Sequence, residues 1–289
     1  MMPITEEVHA FLTANAAAQI QRDDEYLDPA DGLLHCKTCH GLRQTVIPAP
    51  GGTGFLRPRC LCPCQSAAEK QRKAAEEKRE RLERIQRRKA RGLQDRRLYD
   101  CTFANDNGKT PRLTAKAKRY VEHWEDAARK NIGLLLFGDV GTGKSFLAGC
   151  IANALLEQDV PVLMTNFPTI LNRMTGLFGS DRADFLADLN AYDLLILDDL
   201  GAERGREYAL EQVFAVIDAR YRSRKPLIVT TNLTLDALKH PDDLAHARIY
   251  DRILEICAPI LFGGENLRVE KANETKTAAR SLLLPGNAA

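Results

Sequence analysis

Residues Gly138-Asp139-Val140-Gly141-Thr142-Gly143-Lys144-Ser145 spell a complete GxxxxGK[ST] phosphate loop, and nothing else in the chain restricts the fold as much. The apolar run from Ile132 to Phe137 precedes it and the helical run from Phe146 to Ala152 follows it. In that setting a strand delivers the backbone to one point, and the glycines let it curl so that N–H groups converge on phosphate oxygens. The following helix adds the positive end of its dipole. Lys144 then reaches the β- and γ-phosphates, and the Ser145 hydroxyl serves Mg²⁺. A glycine-rich turn without a ligand is the competing reading, and the strand-loop-helix context argues against it. The expected ligand is a nucleoside triphosphate.

A phosphate loop needs a sheet behind it, and the sequence supplies one. Apolar runs at 132–137, 160–165, 194–197 and 227–231, with a weaker one at 258–262, alternate with helical patterns near 115–130, 145–158, 167–178, 209–224 and 243–257. Apolar strands separated by amphipathic helices specify an α/β fold, a parallel five-stranded sheet covered on both faces.

The run Leu194-Leu195-Ile196-Leu197-Asp198-Asp199 reads as the second half of an ATPase site. A buried central strand presents Asp198 to Mg²⁺ beside the phosphate loop, while Asp199 orients or deprotonates the attacking water. The strand Leu227 to Thr231 ends at Asn232, the best candidate for a polar side chain that senses the γ-phosphate. An ordinary strand end followed by an Asn turn is the alternative.

Upstream, Cys36-Lys37-Thr38-Cys39 and Cys60-Leu61-Cys62-Pro63-Cys64 have the spacing of a tetrahedral Zn²⁺ site. Five cysteines compete for four positions, with His40 a less favoured substitute. A redox role for Cys36 and Cys39 would need a thioredoxin-like βαβ context, which the sequence lacks. This glycine- and proline-rich stretch is too short to bury a sufficient apolar core unaided, so a structural metal fits its folding problem. Four protein ligands would leave no open catalytic position.

Charge is unevenly spread. The net charge is only +2, yet residues 66–97 carry thirteen Lys or Arg against six Asp or Glu, so the rest of the chain is net acidic. Acid-first pairs such as Glu77 with Arg81 and Glu80 with Arg84 support an exposed connecting helix. Its basic excess also suits an acidic partner such as nucleic acid. No apolar stretch approaches the ~20 residues needed to cross a bilayer, and the first residues do not read as a signal peptide. The expectation is a cytoplasmic protein with reduced cysteines.

Taken in order, Thr102-Phe103-Ala104-Asn105-Asp106-Asn107, the phosphate loop, Asp198-Asp199-Leu200-Gly201-Ala202-Glu203, Thr230-Thr231-Asn232 and Arg248-Ile249-Tyr250-Asp251-Arg252 resemble the DnaC family of AAA+ ATPases. These are bacterial and phage helicase loaders, related to the IstB transposition ATPases. The resemblance covers about residues 100–268 and implies an ATP-hydrolysing AAA+ domain that assembles with further copies of itself on its partner. Arg248 would reach the ATP of a neighbouring subunit, although an exposed basic helix face is the plainer reading of the pattern. Arg268 would act as a second sensor, in a segment that departs from the usual aromatic-then-Arg ending. The resemblance further implies a DnaB-type hexameric replicative helicase as partner, gripped by residues 1–95, and single-stranded DNA as ligand. An IstB-like ATPase acting on duplex DNA with a transposase is the alternative. Asn166, Phe167, Arg173, Phe178 and Arg182 offer a mixed cationic and aromatic surface for a single strand, or else an amphipathic helix with its apolar side inward. The expected organisation is an N-terminal helix at 1–31, a zinc module at 32–65, a charged helix at 66–97, the ATPase domain at 98–270 and a flexible tail at 271–289.

Overall fold

The computed structural model describes residues 22–50, 54–201, 207–264 and 266–283. The chain divides into two units, Met1–Leu82 and Glu83–Ala289. The N-terminal helix expected before residue 22 lies outside the described residues, as do Ala202 and Glu203.

In the first unit, β1 (Glu25–Leu27) pairs antiparallel with β2 (Leu34–Cys36), and β3 (Ile47–Pro48) with β4 (Phe55–Leu56). The first hairpin turns because the Asp28 carboxylate accepts the Ala30 N–H and Gly32 adopts φ +68°. Few apolar side chains are buried here. Among the described residues they are Leu34, Ala49 and two cysteines, while the charged Glu25 and Arg43 are buried beside them. Arg59 donates to both oxygens of Glu25, and Arg43 pairs with Asp24.

Helix α1 (Pro63–Gly92) begins earlier and ends sooner than the 66–97 expected. It stops where Gly92 passes so close to the Val162–Asn166 strand that an added Cβ would lie 2.1 Å from the Val162 carbonyl. Asp95 then accepts the Arg97 N–H and opens a short 3₁₀ turn, Arg96–Asp100.

The second unit is built on β5 (Gly133–Gly138), β6 (Val162–Asn166), β7 (Leu194–Leu200), β8 (Leu227–Thr231) and β9 (Cys257–Phe262). All are parallel, in the order β6-β7-β8-β5-β9. Alternate residues point to opposite faces, and both faces are covered. Leu135, Phe137, Leu195, Leu197 and Val229 join one apolar cluster, and Leu134, Leu136, Leu194, Ile196 and Ile228 the other. The first face packs on α5 (Phe167–Met174), α7 (Glu207–Ser223) and α9 (Leu244–Ile256), and the second on α2 (Pro111–Glu122), α3 (Trp124–Arg129) and α4 (Lys144–Glu157). The weakly apolar β9 is an edge strand, which is why Pro259 is tolerated in it.

Several helices differ from their sequence pattern. The one expected at 115–130 breaks at His123 into α2 and α3. The one expected at 167–178 ends at Met174, and α6 (Ser180–Ala191) follows. Short α8 (Leu235–Lys239) sits between β8 and α9. Of the tail expected to be flexible at 271–289, residues 271–283 are helical, because α10 (Leu267–Leu283) continues through them; the remainder lies outside the described residues. The run of Ala, Lys, Glu and Arg in α10 has good intrinsic helix propensity. No helix among the described residues is long and apolar enough to cross a membrane.

Candidate nucleotide site and cysteine centre

Three strand ends converge on one cleft of about 660 Å³. The loop after β5 supplies Gly141, Gly143, Lys144 and Ser145, β7 supplies Asp198 and Asp199, and Thr230 and Asn232 come from the end of β8, which lies between the other two. The far wall is Asn105 to Thr110 on one side and Leu267 with Arg268 on the other.

Within the phosphate loop, Gly138, Gly141 and Gly143 have φ of +130°, +81° and +95°. Gly141 is further restricted by its neighbour, since an added Cβ would lie 1.9 Å from Asn266 Oδ1. The Leu267 N–H donates to the Gly141 carbonyl at 3.0 Å, so α10 starts directly on the loop and carries Arg268 to the cleft. Lys144 donates to the carbonyls of Gly138 (2.8 Å) and Asp139 (2.6 Å). Burial holds its ammonium below the ordinary lysine value, opposed by the Asp199 and Asp139 carboxylates and reinforced by Arg268.

Ser145 Oγ donates to Asp198 Oδ1 at 2.8 Å, joining the phosphate loop to β7. These are hard oxygen donors side by side at a helix N-terminus, a set that suits Mg²⁺ carried with nucleotide phosphates. Asp199 has φ +63°, a conformation that a non-glycine residue holds only when its surroundings enforce it. Asn232 Nδ2 donates to Asp199 Oδ1 at 3.1 Å, which puts the two side chains in direct contact.

Asp106 and its neighbours reach the cleft because the 3₁₀ turn Phe103–Asn105 follows a segment anchored to α4. Asn153 Nδ2, on that helix, donates to the carbonyls of Leu98 and Cys101. Sequence reasoning noted the Thr102–Asn107 stretch without assigning it to a wall of the site. It gave no role to Asn266, which packs on Gly141, or to Thr230, which it noted only as part of the Thr230-Thr231-Asn232 strand end.

Arg248 is exposed and is not among the residues around the cleft of its own chain; with Lys239 and Asp251 it borders a separate hollow. Arg252, one turn on, is engaged within the subunit. It pairs with Asp218 at 2.7 Å and lies over the Phe214 ring at 4.6 Å. In the 166–182 stretch, Phe167, Ile170 and Met174 are buried, so Phe167 is a core residue and not a stacking platform. Asn166 caps α5 by accepting the Thr169 N–H at 2.9 Å. Phe178 is 81% exposed, and Arg173 borders a second groove with Arg91, Arg96 and Arg97.

In the first unit, the sulfurs of Cys36, Cys39, Cys62 and Cys64 lie within 4.8 Å of one another. Cys60, the fifth candidate, lies outside this cluster; its thiol turns to the Leu42 carbonyl at 3.5 Å. His40 is engaged with the Tyr26 hydroxyl. The first pair sits on a knuckle closed by the His40 N–H to the Cys36 carbonyl, and Gly41 lets it lie against Pro63, where an added Cβ would be 2.4 Å from Cδ. Backbone N–H groups of Cys39 and Thr38 pull the Cys36 thiol down to about 6, and those of Cys64 and Gly41 lower Cys39. Hydrogen bonding to the sulfurs of Cys62 and Cys39 pushes Cys64 up to about 12. Four adjacent thiols cannot all ionise unaided, and a soft divalent cation resolves that conflict, so the cluster fits a zinc module.

A parallel sheet with a phosphate loop after one strand, a paired acid at the end of another and a polar strand end between them defines an AAA+ P-loop fold. The sequence profile of the family described as IstB-like ATP binding protein matches residues 68–275, and the chain belongs to that family. It is 30% identical over 150 residues to the replicative helicase loader DnaI of Bacillus subtilis, 48% of each chain. It is also 30% identical over 162 residues to the replicative helicase loader DnaC of Escherichia coli K12, 53% of this chain and 63% of that protein. The match thus spans about half to two thirds of the length of these relatives. A crystal structure of DnaI superposes with a TM-score of 0.50 at 26% identity, covering 63% of this chain and all of the other.

Proposed function

We propose that this chain is an ATP-hydrolysing loader that holds a hexameric replicative helicase of the DnaB type and single-stranded DNA. The observation that carries the reading is the link from Ser145 through Asp198 to the Asp199–Asn232 pair, set directly beside the phosphate loop. In this reading the backbone of residues 138–145 and Lys144 hold the ATP phosphates, and Ser145 and Asp198 hold Mg²⁺, which neutralises phosphate charge when bound. Asp199 orients the attacking water and takes up its proton, while Asn232 reports the γ-phosphate to Asp199. Arg268 adds positive charge from α10. Arg248, exposed and away from its own cleft, supplies charge to the ATP of a neighbouring copy once copies gather on a partner. The four-cysteine cluster holds structural Zn²⁺. Phosphate contacts from the basic residues around the second groove, Arg91, Arg96 and Arg173, suit single-stranded DNA. Likeness to two replicative helicase loaders supports the helicase as partner.

The family description favours a second reading, an IstB-like ATPase that acts on duplex DNA with a transposase. Capture from native cells followed by identification of the partner separates the two. A hexameric helicase supports loading, and a transposase overturns it. In an ATPase assay with single-stranded DNA and that partner, Asp199→Asn keeps nucleotide and loses turnover, and Arg248→Ala loses only the stimulated part. Parental turnover by Asp199→Asn would remove the water-activating role, and full stimulation of Arg248→Ala would remove the role in trans.

A further inference from the structure

Thr230 is 2% exposed on a central strand whose preceding residues Ile228 and Val229 are fully buried and apolar. A hydroxyl in such a place must find partners. It finds two, and both belong to the acid pair. Thr230 Oγ1 accepts the Asp199 N–H at 2.9 Å and donates to Asp198 Oδ1 at 2.6 Å.

The first bond replaces one that the sheet has lost. Along β7 and β8, Leu197 pairs with Val229 and Leu200 with Thr231, so Asp198 and Asp199 together face the single residue Thr230. This is a bulge, and the extra residue has no ladder partner for its N–H. Asp199 is the residue with φ +63° in that bulge. The Thr230 oxygen supplies the missing acceptor and so holds the bend that presents the Asp199 carboxylate to Asn232.

The second bond follows from proton count. A hydroxyl has one hydrogen and an ionised carboxylate has none to give. With the Thr230 oxygen already accepting from Asp199, its hydrogen goes to Asp198 Oδ1. That oxygen also receives the Ser145 hydroxyl, so its rotation is fixed from two sides and Oδ2 is left for a cation.

We propose that Thr230 is a positioning residue of the hydrolytic site, setting the carboxylate rotation of Asp198 and the backbone bend of Asp199 through one hydroxyl. The inference rests on the ATP-hydrolysis reading above. It does not depend on which partner the protein serves. Thr230 touches neither phosphate nor water in this role, and the phosphate loop is complete without it. Its loss therefore affects turnover and Mg²⁺ dependence ahead of ATP affinity.

The test compares Thr230→Val, which keeps volume and β-branching, with Thr230→Ser, which keeps the hydroxyl. Parent and Lys144→Ala are assayed in parallel on the full chain with single-stranded DNA. Loss of an outer hydrogen-bond partner of this kind costs about 10- to 100-fold in activity. Thr230→Val is expected to show that fall in kcat, a higher Mg²⁺ requirement and unchanged binding of a non-hydrolysable ATP analogue, with Thr230→Ser recovering most of the loss. Parental turnover by Thr230→Val, or a Thr230→Ser protein as impaired as Thr230→Val, overturns the proposal while leaving ATP hydrolysis standing. A parent without Lys144-dependent turnover overturns the hydrolysis reading and takes this proposal with it. Should Thr230→Val fail to bind the analogue, Thr230→Ala replaces it under the same criteria.

Discussion

The two units solve the folding problem by different means. In the second, five strands bury apolar residues on both faces, and Leu135, Leu195, Ile196, Ile228 and Val229 are all fully sealed from water. In the first, among the described residues, burial is divided between Leu34, Ala49, two of the four clustered cysteines and the charged Glu25 and Arg43, with Arg59 paired to Glu25 from a partly exposed position. The reason is size. A short segment cannot remove enough apolar surface from water to offset its conformational entropy, so directed bonds take over. Such bonds stabilise only while every partner is present, whereas a large apolar core loses stability piecemeal.

That contrast can be broken in a definite order. Removing metal from the full chain is expected to have the largest effect, since structural zinc sites contribute about 10–16 kcal/mol of apparent binding energy to small modules. Chelation under reducing conditions should strip hydrogen-exchange protection from residues 22–62 and leave nucleotide binding intact. Freshly purified protein with no zinc, or chelated protein with unchanged protection there, would count against the metal.

Glu25→Ala comes next. It leaves Arg43 and Arg59 facing a missing partner, at a cost of about 3–5 kcal/mol for a broken buried ion pair. Ile196→Ala, in the sheet, should cost about 2–5 kcal/mol through its cavity and transfer terms. The comparison lies in where each loss is felt. Exchange protection should fall around the cysteine cluster for Glu25→Ala and throughout the sheet for Ile196→Ala; the same pattern for both variants would show that the two units do not unfold separately.

The smallest effect is expected from Arg97→Ala. Arg97 pairs with Asp95 at 2.6 Å but is 90% exposed, and solvent screens such a pair. Acid should abolish this pair as well, because Arg97 holds the Asp95 carboxyl below its ordinary value, so whatever it contributes is lost as pH falls through that lowered value. An unchanged thermal midpoint at neutral pH is the expected result, and a drop of several degrees would mean that the turn after α1 carries more of the fold than its exposure indicates.

How much could be read in advance followed from how local each signal is. The phosphate loop, the Asp198-Asp199 strand end and the strands around them are written in contiguous residues, because a loop that cradles phosphate must have its glycines, its lysine and its flanking strand and helix in one stretch. The CxxC spacing is equally local. The sequence left five cysteines for four positions, and only folding decided, since Cys60 lies on a segment whose backbone pairs with Arg43 and turns its thiol to Leu42. Helix ends were similarly undecided where helical pattern ran on past a break, as at His123 between α2 and α3 and at Met174 at the end of α5.

The sequence by itself determined the α/β class, the nucleotide-binding loop and the acids opposite it, because hydrophobic periodicity and short-range spacing are properties of neighbouring residues. Tertiary structure alone decided which distant side chains complete each arrangement. Arg220, on α7, is fully buried and donates to the carbonyls of Tyr192, Asp193 and Pro226, with burial pulling it down to about 10. Thr230, one threonine in a β-strand of ordinary composition, meets Asp198 and Asp199 only because a bulge of the adjacent strand brings them to it. Contacts between residues some thirty positions apart depend on strand order and register, and those are settled by the packing of the whole sheet.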